Sequence, residues 1–339
     1  MKVNKWLNNR FDSVVSNVME TSKKVDCSGA SVFIIHNDNI VTEEYWGKQS
    51  KNSNARPIQE DTQFHVASVR KSYIGFAVAY AVNEGYIESI DDLVTKYLPL
   101  DKISELNGTT IRHLLTHTHG LRRINGEIHR EYPAGENWSY RGIGIDFLTQ
   151  IVKITTGQSV ADLVTNQVLR PLNLMETGWY GELNEKLVDV IRKPIDKNWT
   201  SSKSTEGDQM NMYVSSRDLA KWGYFHLKLG SVNGEQITSN KIIELATSLH
   251  SPNLIDNEIP QNGFLWFVKD LPARKSEIGE LVPKGSYQIL GYTGVTLLVI
   301  PQFNLVAVRA FNSFGSPDGF DYLADVRQFG DTIMTCLLD

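Results

Sequence analysis

The sequence predicts an α/β (α+β) protein whose sheet domain is interrupted by a helical insertion. Strand-like segments lie near both ends of the chain, the stretch from about 65 to 180 has mostly helical character, and residues 322–338 resemble a closing helix. The chain has 339 residues, of which 41% are hydrophobic and 22% charged. This is enough apolar material for one large domain or two ordinary ones.

The first predicted elements are an amphipathic helix and a β-hairpin. Apolar residues between Trp6 and Val18 recur on one side of a helix placed within the first twenty residues. Residues 29–46 contain two runs of strand-forming residues around the polar tip at 36–39, which indicates a hairpin.

Helices then dominate the middle of the chain, and strands return after them. Besides the helix that carries Ser68, helical patterns cover 110–116, 144–156, 160–168 and 218–229. Strand patterns cover 263–268, 285–290, 295–300 and 305–311. We therefore expect a discontinuous sheet domain of residues 1–62 and 205–339, a mostly helical domain of residues 63–204, and a cleft between them.

Charge and composition argue against several classes of partner. A net charge of -5 with no basic run indicates neither a nucleic-acid surface nor an anionic membrane surface. No apolar stretch approaches transmembrane length, and the first twenty residues lack the apolar core of a signal peptide. Two cysteines are too few for a disulfide framework. These features predict a cytoplasmic protein with no membrane segment, and a truncated form of an exported protein is the alternative. We expect a monomer or small homo-oligomer.

Ser68 and Lys71 form the only S-x-x-K match in the chain, at the start of a predicted buried helix. Residues i and i+3 of a helix share a face, so the lysine amine can reach the serine hydroxyl. A serine becomes a strong nucleophile only when a nearby base takes its proton, and an amine kept neutral by burial can be that base. An N-capping serine beside a surface lysine is the structural alternative.

Two later segments add candidate chemistry. A loop rich in turn-forming residues presents Tyr140 just before a helix, where the phenol can relay a proton or simply pack in the core. Glycines at 291 and 294 precede a predicted strand that begins at Val295. They let the backbone approach a ligand closely, although a plain hairpin turn has the same appearance.

The order and spacing of these three motifs resemble the serine β-lactamase and penicillin-binding-protein superfamily, and in particular the branch of class C β-lactamases, DD-peptidases and esterases. The resemblance implies a β-lactamase/transpeptidase-like fold, with an antiparallel sheet flanked by helices and a mostly helical inserted domain. It implies that Ser68 is acylated, that Lys71 is its base or the partner of the base, and that Tyr140 relays the proton. Which of Lys71 and Tyr140 is the base stays open.

The resemblance also implies the groups that hold the substrate. The backbone N–H groups of Ser68 and Val295 form the oxyanion hole, and Thr293 and Gly294 line the strand beside the substrate. Two positions depart from the family pattern. Gly142 stands where Tyr-x-Asn has its asparagine, and Tyr292 stands where the late motif has Lys or His, so β-lactam hydrolysis is in question.

Further candidates come from residues near these motifs. Arg141 and Arg70 are candidates for the missing positive charge, and Asn312 is a candidate polar contact to substrate. Six aromatic residues are candidate cleft walls or core residues: Trp138, Tyr180, Tyr213, Trp266, Phe314 and Tyr322.

The sequence predicts neither a metal nor a cofactor. The histidines at 113, 117 and 119 lack the glutamate of H-E-x-x-H, and no G-x-S-x-G element supports a Ser-His-Asp hydrolase. We therefore predict a serine hydrolase that forms an acyl-enzyme on Ser68 and cleaves a small-molecule ester or amide, which includes β-lactams and D-amino-acid peptides. The alternative is a catalytically silent, penicillin-binding-like protein that binds or senses a ligand in the same cleft.

Overall fold

The computed structural model describes residues 3–99, 104–193 and 202–338. In chain order the strands are β1 Asn4–Lys5, β2 Gly29–His36, β3 Asn39–Gly47, β4 Gln63–His65, β5 Leu121–Ile124, β6 Glu127–Arg130, β7 Thr177–Trp179, β8 Met212–Ser215, β9 Ser231–Val232, β10 Glu235–Gln236, β11 Gln261–Asn262, β12 Phe267–Lys269, β13 Ser286–Gly291, β14 Val295–Ile300 and β15 Leu305–Phe311. The helices are α1 Asp12–Lys24, α2 Lys71–Asn83, α3 Ile111–Leu115, α4 Ile143–Thr156, α5 Val160–Val164, α6 Ser216–Leu227, α7 Asn240–Thr247 and α8 Tyr322–Leu338.

The main sheet has eight strands in the order β1-β3-β2-β15-β14-β13-β12-β11. All of its pairings are antiparallel except that of β1 with β3. Smaller sheets have the orders β4-β8-β7, β5-β6 and β10-β9. The strands that meet in the middle of the main sheet come from opposite ends of the chain, which makes the sheet discontinuous in sequence.

Helices cover both faces of the main sheet. In β2, Val32 and Ile34 contribute to a core shared with α1 and α8, while Phe33 and Ile35 contribute to a second core that contains α6 and α2. Because successive side chains in a strand point to opposite faces, a strand covered on both sides is apolar at almost every position. The second core continues from the sheet into the helices of the middle segment.

Most predicted elements form close to their expected bounds. The hairpin is β2 and β3, the strands at 295–300 and 305–311 are β14 and β15, and the closing helix is α8. None of the described helices combines the length and apolar character that a bilayer-spanning segment needs.

Two element predictions were wrong in their bounds. The N-terminal helix begins only at Asp12, because Asn4–Lys5 pairs with β3 as an edge strand. The strand expected from residue 263 begins at Phe267, because Leu265 has a φ of 66° that interrupts extended backbone. The middle segment also contains strands, among them the β5–β6 hairpin, whose two-residue Asn125-Gly126 turn is a hairpin signal that the helical prediction overlooked.

Candidate active site

Ser68 lies in a tight turn between the short strand β4 and the helix α2. The chain leaves β4 at His65, passes through a 3-10 turn at Ala67–Arg70 and enters α2 at Lys71. Ala67 has a φ of 45°, an unfavourable conformation for a residue with a side chain. Such strain persists only where the surroundings enforce it, and it often marks a functional position. The turn leaves Ser68 partly accessible while both of its neighbours are buried.

A glycine brings the main sheet against this turn. A Cβ atom at Gly291, the last residue of β13, would lie 2.3 Å from the carbonyl oxygen of Val66. Only glycine fits at that separation. Thr293 adds a second link, because its hydroxyl donates a 2.6 Å hydrogen bond to the carbonyl oxygen of His65. The start of β14 is thereby held beside the turn that carries Ser68.

The Ser68, Lys71 and Tyr140 side chains meet in one hydrogen-bonded group. Lys71 Nζ lies 2.6 Å from Ser68 Oγ and 2.9 Å from Tyr140 Oη. Lys71 comes from the first turn of α2, whereas Tyr140 comes from the loop before α4. The structure therefore brings Ser68, Lys71 and Tyr140, the three residues singled out from the sequence, within proton-transfer distance.

Burial determines the protonation of this group. Removal from water, assisted by the adjacent Arg70 guanidinium, holds the pKa of Lys71 well below its usual range. Burial of its hydroxyl raises the pKa of Tyr140 to about 12, although 38% of the residue is exposed. Lys71 is thereby a readier proton acceptor than an ordinary lysine, while the Tyr140 phenol keeps its proton near neutral pH and can donate it.

Histidines surround the group without converging on a common point. The His117 ring packs against Tyr140 at a centroid distance of 4.5 Å, and burial holds its pKa well below the usual range. His113 Nδ1 accepts a hydrogen bond from the backbone N–H of Thr110, and His119 Nδ1 accepts one from Leu121. The described part of the chain contains no cluster of three or more His, Cys, Asp or Glu side chains arranged to hold a metal ion.

Ser68 opens into a cavity of about 220 Å³ with mostly apolar walls. The residues that line it are Ser68, Trp138, Tyr140, Phe267, Glu277, Leu290, Tyr292, Tyr322 and Leu323. Hydrogen bonds hold two of the aromatic residues in place: Trp138 Nε1 donates to Asn262 Oδ1 at 2.9 Å, and the Tyr322 hydroxyl donates to the Gly291 carbonyl at 3.3 Å. These two rings of the mostly apolar wall are therefore oriented by hydrogen bonds.

The residues at the start of β14 and just before it, 292–295, have different roles in the site. Tyr292 lines the cavity, with 45% of its surface exposed. Thr293 is fully buried with its hydroxyl bonded to His65, so its side chain supports the turn and does not face the cavity. Gly294 has a φ of 84° in the turn between β13 and β14, and Val295 is the first residue of β14.

Two predicted substrate contacts lie away from the cavity. The Arg141 guanidinium pairs with the Glu131 carboxylate at 3.0 Å on the surface. The Asn312 amide is buried and satisfied by the structure, because Oδ1 accepts from the backbone N–H of Ser28 while Nδ2 donates to the carbonyl oxygen of Asp189. The Asn312 amide thus joins Asp189 to Ser28, the residue before β2, and Arg141 is paired with Glu131, so the structure does not bring either side chain to the cavity wall.

Among the candidate wall aromatics, Trp138 and Tyr322 line the cavity, while Trp266 is fully buried in the core. Tyr180 and Tyr213 line a separate surface pocket, and Phe314 packs edge-on against Tyr292. Sequence reasoning missed four residues of the lining: Phe267, Glu277, Leu290 and Leu323. Glu277 lies in a polar loop with no motif around it, so only its three-dimensional position distinguishes it.

The chain is similar in sequence to members of one protein family, and in fold to solved structures. The family model described as Beta-lactamase matches residues 11–330. An uncharacterized protein of Alkalihalophilus pseudofirmus is 71% identical over the full length of both chains. Esterase EstB of Burkholderia gladioli is 27% identical over 50% of this chain and 51% of its own. A penicillin-binding protein homolog from Caulobacter crescentus has the same fold, with a TM-score of 0.77, 16% identity and coverage of 99% of each chain.

Proposed function

The chain belongs to the beta-lactamase family, with the β-lactamase/transpeptidase-like fold, and from this we propose that it is a serine hydrolase that cleaves a small ester through an acyl-enzyme on Ser68. The observation that carries the proposal is the contact of Lys71 Nζ with both Ser68 Oγ, at 2.6 Å, and Tyr140 Oη, at 2.9 Å. An amine whose pKa is lowered by burial, in contact with a serine hydroxyl, is an activated-nucleophile arrangement.

In the first half-reaction, Ser68 Oγ attacks the carbonyl carbon while its proton passes to Lys71 Nζ. The negative charge moves to the carbonyl oxygen, which accepts hydrogen bonds from the backbone N–H groups of Ser68 and Val295. The leaving oxygen then takes a proton from Tyr140, which recovers one from the protonated Lys71. The raised pKa of Tyr140 supports its assignment as the donor, and the lowered pKa of Lys71 supports its assignment as the base.

In the second half-reaction, water replaces the departed alcohol. Lys71, having given up its proton, removes one from the water. The resulting hydroxide adds to the acyl carbon. Collapse of the second tetrahedral intermediate breaks the bond to Ser68 Oγ, which recovers its proton, and releases a carboxylic acid. Every proton that leaves one group is received by another, so the cycle needs no cofactor.

The walls of the cavity favour esters over β-lactams. None of the described residues that line it is Lys or Arg, so the carboxylate of a penicillin has no cationic partner there. The space around Gly142 is open, since a Cβ atom there would have nothing within 4 Å. Gly142 therefore supplies no amide at the position where the family pattern has the asparagine that holds a β-lactam side chain.

Intact mass after incubation with a fluorophosphonate tests the proposal. The parent protein should gain one adduct, whereas Ser68→Ala should gain none and should lose nitrophenyl ester hydrolysis. Ser16→Ala, which changes an exposed serine on α1, is the control and should behave like the parent. A parallel incubation with a penicillin should give little adduct on the same time scale.

Equal ester hydrolysis by the parent and Ser68→Ala would exclude the proposal. The silent ligand-binding alternative would instead show no adduct, no turnover and reversible binding that survives the Ser68→Ala substitution. Thermal melting of each variant shows that the comparison is made between folded proteins.

A further inference from the structure

The cavity beside Ser68 contains one carboxyl group that the reaction scheme does not use. Glu277 lines the cavity, and its Oε2 is buried with no hydrogen-bond partner among the described residues. A buried polar group without a partner costs free energy, so it usually marks a ligand, water or ion that satisfies it. A carboxylate is satisfied by a cation or a hydrogen-bond donor.

The surfaces next to this carboxyl group are aromatic. Trp138 and Tyr140 have ring centroids 6.3 Å apart, Tyr140 and Phe267 lie nearly parallel at 6.2 Å, and Tyr292 meets Tyr322 edge-on at 6.4 Å. Faces of aromatic rings attract ammonium groups, and a cage of such rings is a common way for proteins to bind them. Aromatic walls with one carboxylate form a site of that type.

Nearby charges leave the Glu277 carboxyl without a direct ion pair. Arg327 on α8 is the nearest cation that acts on it, but the Arg327 guanidinium donates to the carbonyl oxygens of Ser276 and Arg274. The other titratable groups facing it are the hydroxyls of Tyr140 and Tyr322, whose pKa values the Glu277 carboxylate helps to raise. Above about pH 7, where this carboxyl group is ionised, the cavity therefore offers a negative charge to whatever binds beside Ser68.

We propose that Glu277 and the aromatic walls select ester substrates that carry a positively charged ammonium group. The proposal rests on the proposed function, because it assumes that the substrate carbonyl is placed at Ser68. Since Ser68 and Glu277 line the same cavity of about 220 Å³, a short acyl chain with its carbonyl at the nucleophile brings an ammonium group into the aromatic walls. The same arrangement disfavours anionic substrates.

A matched pair of substrates tests this proposal. One is the nitrophenyl ester of trimethylammoniobutyric acid, and the other is its neutral isostere in which a carbon atom replaces the nitrogen. The measured quantity is the ratio of kcat/KM for the cationic ester to kcat/KM for the neutral ester. We expect a ratio of about ten or more in the parent at pH 8, from cation–π and charge–charge attraction together.

Glu277→Gln should reduce this ratio at least about tenfold, because the amide keeps the shape of the side chain but not its charge. Glu280→Gln removes an exposed carboxyl three residues away and should keep the parental ratio. A parental ratio near one, or a ratio unchanged by Glu277→Gln, would overturn the proposal. If Glu277→Gln instead slows both esters equally, the carboxyl acts in the reaction and not in selection, and the proposal is wrong.

The parent protein provides a second readout that does not depend on a variant. Burial raises the pKa of Glu277 to about 7, despite the opposing influence of Arg327. The ratio should therefore rise between pH 6 and pH 8 as the carboxyl ionises, while titration of Lys71 affects both esters and cancels. A flat ratio over this range contradicts selection by Glu277. Failure of the parent to hydrolyse either ester would instead refute the proposed function.

Discussion

The group of Ser68, Lys71 and Tyr140 and the carboxyl group of Glu277 lie on opposite sides of the cleft, and the protein supplies hydrogen-bond partners to the first but not fully to the second. On the nucleophile side, Ser68, Lys71 and Tyr140 bond to one another within 2.9 Å. On the recognition side, formed by Glu277, Tyr292 and Tyr322, the carboxyl oxygen Oε2 of Glu277 has no partner among the described residues.

This difference separates two requirements of an enzyme. Proton transfer needs groups that are already in position, and reorganising them during the reaction would slow it. Recognition needs groups whose interactions are completed by the substrate. We therefore expect substitutions on the nucleophile side to affect turnover most, and substitutions on the recognition side to affect substrate preference and stability.

The largest expected effect comes from Lys71. Lys71→Met should lower kcat for a neutral nitrophenyl ester by about 10³-fold, within the range for loss of a general base. Lys71→Arg should be nearly as slow, because a guanidinium cannot become neutral to accept the Ser68 proton. Lys241→Met, an exposed lysine on α7, is the matched control. Retention of more than about a tenth of the parental rate by Lys71→Met would assign the base elsewhere.

A smaller and more selective effect is expected for Tyr140. Tyr140→Phe keeps the ring beside His117 and Phe267 but removes the proton donor for the leaving group. The loss should be about 10²-fold for an alkyl ester and clearly less for a nitrophenyl ester, since nitrophenolate leaves without a proton. Steady-state kinetics of both esters measure this difference, with the exposed Tyr86→Phe as control. Equal losses for the two esters would mean that Tyr140 acts before the leaving-group step.

The nucleophile side could be predicted from sequence because local geometry determines much of it. The i, i+3 spacing places Lys71 near Ser68 whenever α2 forms, and the central strands follow from continuous apolar runs. Tyr140 comes from about seventy residues later, and its placement followed from family resemblance, not from spacing.

The recognition side could not be predicted in the same way. Glu277 reaches the cavity because its loop packs between β13 and α8, where Gln288 Nε2 donates to its backbone carbonyl and Arg327 Nε donates to that of Ser276. In the sequence it is one of several charged residues in a polar loop. Arg141 shows the opposite case, since its proximity to Tyr140 in the sequence suggested a substrate contact, whereas its guanidinium pairs with Glu131 at the surface.

The smallest effect is expected on stability. It tests whether the buried Glu277 carboxyl lowers the free energy of unfolding. Burial raises the pKa of Glu277 from its ordinary value of 4.5 to about 7, so the folded state holds this proton more tightly than the unfolded state does. The resulting penalty is absent below the unfolded pKa, grows as the pH rises towards 7, and is complete above it. At 1.36 kcal/mol per pKa unit, the penalty at pH 8 is about 3 kcal/mol before any relief from solvent.

Glu277→Gln removes the titrating group while keeping its shape, so it should raise the Tm by a few degrees at pH 8 and by much less at pH 5. Differential scanning calorimetry at the two pH values measures this difference. Glu280→Gln should leave the Tm close to that of the parent at both, because its carboxyl is exposed. A Glu277→Gln protein that melts lower than the parent at pH 8 would show that the carboxylate has a stabilising partner in the fold, and the contrast between the two sides of the cleft would then fail.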